Sequence, residues 1–299
     1  MNREIFAALA IMASANAVFA ETTKEPLVLK PASAWHVDYA EDRCRLAREF
    51  GAGDEQVYLF LDRYGPTEYF RMTLAGKPVK TPVDKADATL QFGPTEVEQS
   101  IMSWKGNLGK MPALIFANSI RLAPPAPAEF AAATKSDKDE WIDYAPISEA
   151  RQKAIKYLTV GKPLRRPVTL ETGSMRAPFV ALDKCIDNLM TTWGIDTEKH
   201  RSLTRKVQPQ QSPGKWVVAS DYPLNMLASG QPAIVEFRLS VGADGVPTAC
   251  HIQSTTRPKE FDDAVCKSVM RRARFDPALD ATGKPLASYY RNTVRFQIP

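Results

Sequence analysis

Seven side chains of this sequence are suited to covalent or metal chemistry: Cys44, Cys185, Cys250, Cys266, His36, His200 and His251. A structural zinc site needs ligand pairs two to four residues apart, and no two of these cysteines stand that close. An even cysteine count favours two disulfides if the chain leaves the cytoplasm. The histidines lie in three different segments, and no His-Glu-x-x-His or Gly-x-Ser-x-Gly pattern occurs. Gly51-Ala52-Gly53 is a turn motif; it lacks the third glycine and the following helix of a dinucleotide loop. The expectation is a non-enzymatic chain with no catalytic residues, no metal and no cofactor. A catalytic triad assembled in space within the N-terminal half is the competing reading.

The N-terminus bears on where the cysteines reside. In Met1–Ala20 a single Arg3 precedes an apolar run from Ile5 to Ala15, and Val18-Phe19-Ala20 fits an A-x-A-like cleavage site. That is the layout of a secretory signal peptide cut after Ala20. A membrane-spanning helix needs roughly 20 mostly apolar residues, whereas this run is shorter and Ser14 and Asn16 interrupt it. A soluble periplasmic location is expected, ahead of an inner-membrane anchor. With 299 residues, 44% hydrophobic and 24% charged, the chain suits about two globular domains. A net charge of +5 with interspersed signs gives no nucleic-acid stripe.

These residues must be positioned by elements, and the first half reads as strands. Gln56–Leu61 and Glu68–Leu74 are β-rich runs separated by the turn residues Asp62–Pro66. Tyr157–Leu170 reads as a hairpin turning at Gly161-Lys162-Pro163, and Lys135–Glu140 as part of a surface loop. From Pro178 to Trp193 the period changes: Phe179, Leu182, Cys185, Ile186, Leu189 and Trp193 recur at helical steps, and Gly194 ends the run. Cys185 lies on that apolar face and is expected to dock the helix by pairing with Cys44. The stretch 196–219, with Pro209, Gln210, Gln211, Ser212, Pro213 and Gly214 at its centre, reads as an interdomain linker. The expected organisation is a signal peptide (1–20), a β-rich domain ending in a helix (21–195), a linker (196–219) and a C-terminal domain (220–299). The Trp35…Cys44 start and closing helix of the first domain resemble secreted β-rich invasion-associated proteins.

The C-terminal segment alternates cleanly. Val235, Phe237, Leu239 and Val241 share one face, Gly242-Ala243-Asp244-Gly245 is a hairpin turn, and Val246, Thr248, Cys250 and Ile252 share a face of the next strand. Phe261–Ala273 reads as an amphipathic helix with Asp262 and Asp263 in its first turn. A Cys250–Cys266 disulfide would tie that helix to the second strand. In the last strand, Val294, Phe296 and Ile298 are expected inward and Arg291, Thr293, Arg295 and Gln297 outward. The order is β-β-α-β, one helix on a small antiparallel sheet, and the fold class is α+β.

Asp221-Tyr222-Pro223, Gly242–Gly245, His251–Ser254, Phe261-Asp262-Asp263-Ala264, Arg274–Ala278 and Gly283-Lys284-Pro285 occur in an order that resembles the TonB C-terminal domain family over about Ser220–Pro299. The resemblance implies a protein-binding module of envelope transport whose last strand captures an extended peptide of an outer-membrane receptor. On that reading Tyr289, Arg291, Thr293 and Arg295 are the candidate contacts; the competing reading is that the outward Arg and Thr side chains merely solvate an edge strand and discourage aggregation. Tyr222 and Pro223 either touch the partner or bury a ring at the domain entry. Arg271, Arg272 and Arg274 read as a solvated helix end. A second function class is a structural or stress-related envelope protein whose N-terminal β domain binds an unknown ligand.

Overall fold

A computed structural model describes residues 24–116, 120–124, 146–256 and 258–298; the expected signal peptide and the Lys135–Glu140 loop lie outside them. The fold is α+β. Among the described residues the N-terminal half contributes ten strands: β1 (Leu27–Leu29), β2 (His36–Tyr39), β3 (Cys44–Phe50), β4 (Val57–Arg63), β5 (Arg71–Ala75), β6 (Lys85–Phe92), β7 (Gln99–Leu108), β8 (Met111–Phe116), β9 (Leu158–Val160) and β10 (Val168–Leu170). They form one sheet in the order β1-β10-β9-β6-β7-β8-β5-β4-β3-β2. The sheet curls back on itself: past β1, Pro31 bridges to Phe50 of β3, and the Ala32 and Gly51 N–H groups donate to Glu49 and Lys30 carbonyls.

Period-two alternation puts Leu46, Leu59, Leu61, Met72, Leu74 and Phe92 inside, all fully buried. The helix Arg176–Thr192 covers this interior with Phe179, Leu182, Cys185, Ile186 and Leu189. It is pinned there by the Cys44–Cys185 disulfide, and Gly194, with φ of 76°, ends it in the left-handed conformation that glycine adopts freely. The expected hairpin over 157–170 is the antiparallel pair β9–β10.

The stretch read as a linker is laid down on the C-terminal domain rather than left extended. Asp196 caps a short helix, Thr197–Arg201, by accepting from the Lys199 N–H. Strand β11 (Gln208–Pro209) pairs with β14 (Phe275–Asp276). Trp216, 1% exposed, lies edge-on to Phe275 and Tyr290. The indole adds to the β11 pairing and to the Arg205 donation to the Pro277 carbonyl, and burying so large a ring is worth on the order of 2–3 kcal/mol.

The C-terminal sheet has three strands in the order β13 (Pro247–Thr255), β12 (Ala233–Val241), β17 (Ser288–Phe296), all antiparallel. Two short strands, β15 (Ala278–Leu279) and β16 (Pro285–Leu286), lead into β17. The helix Lys259–Arg272 covers one face, where Val235, Phe237, Leu239 and Val241 meet Phe261, Val265 and Val269. Cys250 and Cys266 are joined as expected. Ile298, expected inward, is 41% exposed, because the strand ends at Phe296 and the core with it.

Candidate functional site

The sheet face away from the Lys259–Arg272 helix is built by the opposite set of residues: Glu236, Arg238 and Ser240 of β12, His251 and Gln253 of β13, Tyr289 and Arg291 of β17. Alternation predicts this set to point out, and it does point away from the helix. What it meets is the N-terminal barrel. Arg71 of β5 forms an ion pair with Glu236 and donates to the Ser254 hydroxyl at 3.1 Å. Gln253 donates to the Asp42 and Tyr64 carbonyls at 3.2 and 3.3 Å. Arg238 is 3% exposed and stands 3.8 Å from the Asp42 carboxylate. Burial raises the Asp42 pKa, an effect that Arg238 partly offsets.

Two candidate contact residues are therefore half-buried against the barrel rather than fully solvated. Tyr289 lies edge-on to Trp193, with ring centroids 5.5 Å apart, and stacks on His200 at 5.2 Å. Its burial pushes the phenol up to about 12. Arg291 is partly buried; its Nε donates to Gln253 at 2.6 Å and its guanidinium lies 5.4 Å from the Tyr64 ring centre. Burial lowers its pKa to about 10. Arg291, expected outward, instead fills the seam between the domains together with Tyr289, because the barrel covers the face that the helix leaves open.

Thr293 and Arg295 are exposed at the far end of β17. Strand β17 pairs with β12 along one side over its whole length, Ser288 to Phe296, and is the outer strand of its sheet. In an antiparallel pair alternate residues turn their N–H away from the partner. The Thr293 N–H donates instead to the Asn292 side-chain oxygen at 2.7 Å, which marks Thr293 as one of the residues whose backbone faces the open edge. By alternation Arg291 and Arg295 share that parity.

The Ser288–Thr293 stretch of this edge borders a groove of about 520 Å³. The opposite wall is barrel: Tyr64, Gly65, Thr67, Tyr69 and Phe70 of the loop between β4 and β5, with Arg71. Asp187 and Met190 of the long helix, His200 and Arg201 of the short one, and Lys206 close the end. His200 Nε2 is 2.8 Å from the Ser288 hydroxyl, and burial lowers its pKa. Burial does the same to Lys206. Arg201 is held by Asp187 at 2.6 Å.

Tyr222 and Pro223 lie apart from this groove. The Tyr222 ring packs edge-on to Phe261 and Phe296, at 5.7 and 5.1 Å, and its hydroxyl donates to the Gln231 carbonyl. That is the ring-burying reading of the pair. The arginines at the helix end are partly engaged: Arg272 donates to the Asp221 carboxylate at 2.6 Å. Sequence reading missed the barrel wall of the groove, since its contacts to the sheet span separations such as 165 residues between Arg71 and Glu236. His200 was visible only as part of a polar stretch. Among the described residues no group of three His, Cys, Asp or Glu side chains could hold a metal ion, and no helix is long and apolar enough to cross a membrane.

Residues 218–298 match the family described as Gram-negative bacterial TonB protein C-terminal. The match covers just over a quarter of the chain, beginning at the entry to the C-terminal domain and ending two residues past β17. No curated protein matches the chain.

Proposed function

We propose that this chain, through its TonB-type C-terminal domain, is a protein-binding component of Gram-negative envelope transport that captures an extended segment of an outer-membrane protein on the free edge of β17. One observation carries the reading: among the described residues the outer strand of the family domain borders a groove of about 520 Å³ instead of being sealed by another element. An extended peptide entering there gains backbone hydrogen bonds from the edge, while its alternate side chains fall on the two faces. Those facing the barrel meet Tyr64, Tyr69 and Phe70; those on the other side lie on the face of Tyr290, which packs against Trp216 and Phe275. The family match supports an envelope setting and a protein partner. Neither a catalytic group nor a cofactor has a part in this reading, and export of the chain with removal of residues 1–20 would bring it to the periplasm.

The test uses the full exported chain and peptides spanning the periplasm-facing segments of outer-membrane proteins. Thr293→Pro removes a backbone donor that faces away from β12, a place where proline is tolerated in an edge strand. Thr293→Ala keeps the donor. Loss of binding in the Pro variant alone, with circular dichroism unchanged, is the expected result. Equal binding by a folded Thr293→Pro variant rejects β17 as the docking edge.

A further inference from the structure

The seam between barrel and sheet holds three guanidinium groups, Arg71, Arg238 and Arg291, and two carboxylates, Glu236 and Asp42. Arg71 pairs with Glu236 and Arg238 lies against Asp42. Arg291 has a neutral amide, Gln253, and the Tyr64 ring, but no carboxylate partner among the described residues. Among the described residues, then, no carboxylate pairs with this guanidinium in the wall of the groove, the lining Asp62 being held by Arg45 and Asp187 by Arg201. The approach to it is open by composition as well as by shape. Position 65 is glycine, and a β-carbon built there would come within 3.6 Å of the Arg291 Cδ and Nη1 atoms. At position 65, next to the Tyr64 ring, the loop thus passes the guanidinium without a side chain.

A cation held in a partly desolvated wall, with hydrogen-bond donors left over and the like charge of Arg71 acting on it, is matched by an anion. Carboxylates suit a guanidinium fork best. On the reading that an extended segment pairs with β17, a residue of that segment opposite Arg291 points its side chain to the barrel side, as Arg291 does. Directly opposed side chains on one face of a sheet lie about 5 Å apart at Cβ, within reach of an Asp or Glu carboxylate.

We infer that the groove selects an extended segment carrying an acidic side chain at the position opposite Arg291, and that Arg291 is the specificity-determining residue of this site. The inference rests on the proposed docking edge and adds to it the chemistry of the partner. It also gives the N-terminal domain a part in recognition: Tyr64 and Gly65 hold the guanidinium in place and shape its access.

The experiment is selection from a displayed library of random octapeptides on the immobilised full-length chain, compared among parent, Arg291→Gln, Arg291→Lys and Thr293→Pro. The expected outcome is enrichment of Asp or Glu at one register of the parent's selected peptides, by about tenfold over Asn and Gln. That enrichment vanishes for Arg291→Gln and survives in weakened form for Arg291→Lys, which keeps the charge but not the fork. Position-specific enrichment separates this from a general attraction to a chain of net charge +5. Thr293→Pro retains no peptides. If the parent selects peptides that Thr293→Pro does not, yet with no acidic position or with one that Arg291→Gln leaves unchanged, the Arg291 inference fails while edge docking stands. If Thr293→Pro selects the same peptides as the parent, or the parent selects none, edge docking itself fails and the inference with it.

Discussion

Arg238 holds its guanidinium 4.1 Å above the ring of Trp193, joining the middle strand of the C-terminal sheet to the end of the helix that closes the barrel. Both groups are part of the same seam as Tyr289 and His200. Desolvated contacts of this type are worth about 2 kcal/mol. The Trp193 indole thus does for the domain interface what the Trp216 indole does for the segment over 208–216.

Arg238→Ala is expected to cost about 2 kcal/mol and to loosen the two domains before either unfolds. Burial of Arg238 lowers its pKa through desolvation, which the Asp42 carboxylate partly offsets, while the Trp193 ring and the Ser240 hydroxyl face the guanidinium. Limited proteolysis should show new cleavage between residues 194 and 216. Urea unfolding should change from one transition to two. A single transition at an unchanged midpoint would mean that the seam contributes nothing to coupling.

The disulfides differ in the loop they close: 16 residues for Cys250–Cys266 and 141 for Cys44–Cys185. Chain entropy gives about 3 kcal/mol for the first and about 5 kcal/mol for the second. Replacing both cysteines of a pair by serine should therefore destabilise the barrel more than the C-terminal domain. Differential scanning calorimetry of the two double variants reads this ordering, and the reverse order would contradict it.

Both disulfides were legible in the sequence because one cysteine of each pair lies on the apolar face of an element whose periodicity was itself legible. Cys185 sits on the apolar stripe of Phe179, Leu182 and Ile186, and Cys250 shares the helix-facing side of β13 with Ile252. Periodicity tells which residues share a face, but not what covers that face. Arg291 and Tyr289 alternate correctly with Val294 and Phe296, so an outward direction follows; yet outward from the helix is inward to the barrel. The contacts that decide this, Arg71 to Glu236 and Tyr64 to Arg291, join residues far apart in the chain. Local pattern carries no information about them. Trp216 was hidden for a different reason: one large ring among Gln, Ser, Pro and Gly gives no period at all.

Acid sensitivity is expected at Asp221. Hydrogen bonds from Arg272, together with the Val218 N–H, lower its pKa from 3.8 to about 2. A carboxylate whose pKa falls on folding stabilises the fold at pH values above its unfolded pKa, and that contribution is lost as pH falls through the folded value. The loss should lie between about pH 4 and pH 2. Asp221→Asn should lower the melting temperature at neutral pH and show no such decline in this window. Parallel acid titrations of parent and variant, followed by tryptophan fluorescence, distinguish the two; identical profiles would exclude Asp221 as the origin.

His200 gives the opposite kind of group, a base whose charge is disfavoured by burial beside Tyr289 and Ser288. Its pKa lies below 6.5 in the folded chain. The unfolded chain then binds more protons as pH falls through 6.5, so stability declines from there until the folded value is passed. An NMR titration of the His200 ring should give a midpoint below 6.5. A midpoint above it would mean that the ring is solvated or paired with an acid, and that this end of the groove is not closed as described.

The last expectation concerns Asn292. Its side-chain oxygen accepts from the Thr293 N–H at 2.7 Å, and its amide donates to the Tyr290 hydroxyl at 3.0 Å. The first contact occupies a backbone donor on the free edge of β17. Native proteins blunt such edges because an exposed row of N–H and C=O groups invites pairing with other chains. An incoming peptide must displace the Asn292 oxygen before it can accept from Thr293, so the side chain competes with the ligand. Asn292→Ala removes the competitor and leaves the backbone donor intact. One net hydrogen bond is worth about 1 kcal/mol, so peptides selected on the parent should bind the variant about fivefold tighter. The freed edge should also raise self-association, visible in sedimentation velocity at high concentration. If Asn292 instead contacts the ligand, the variant will bind more weakly and stay monomeric. That outcome would reverse the role assigned to it here, from guard of the edge to part of the binding surface.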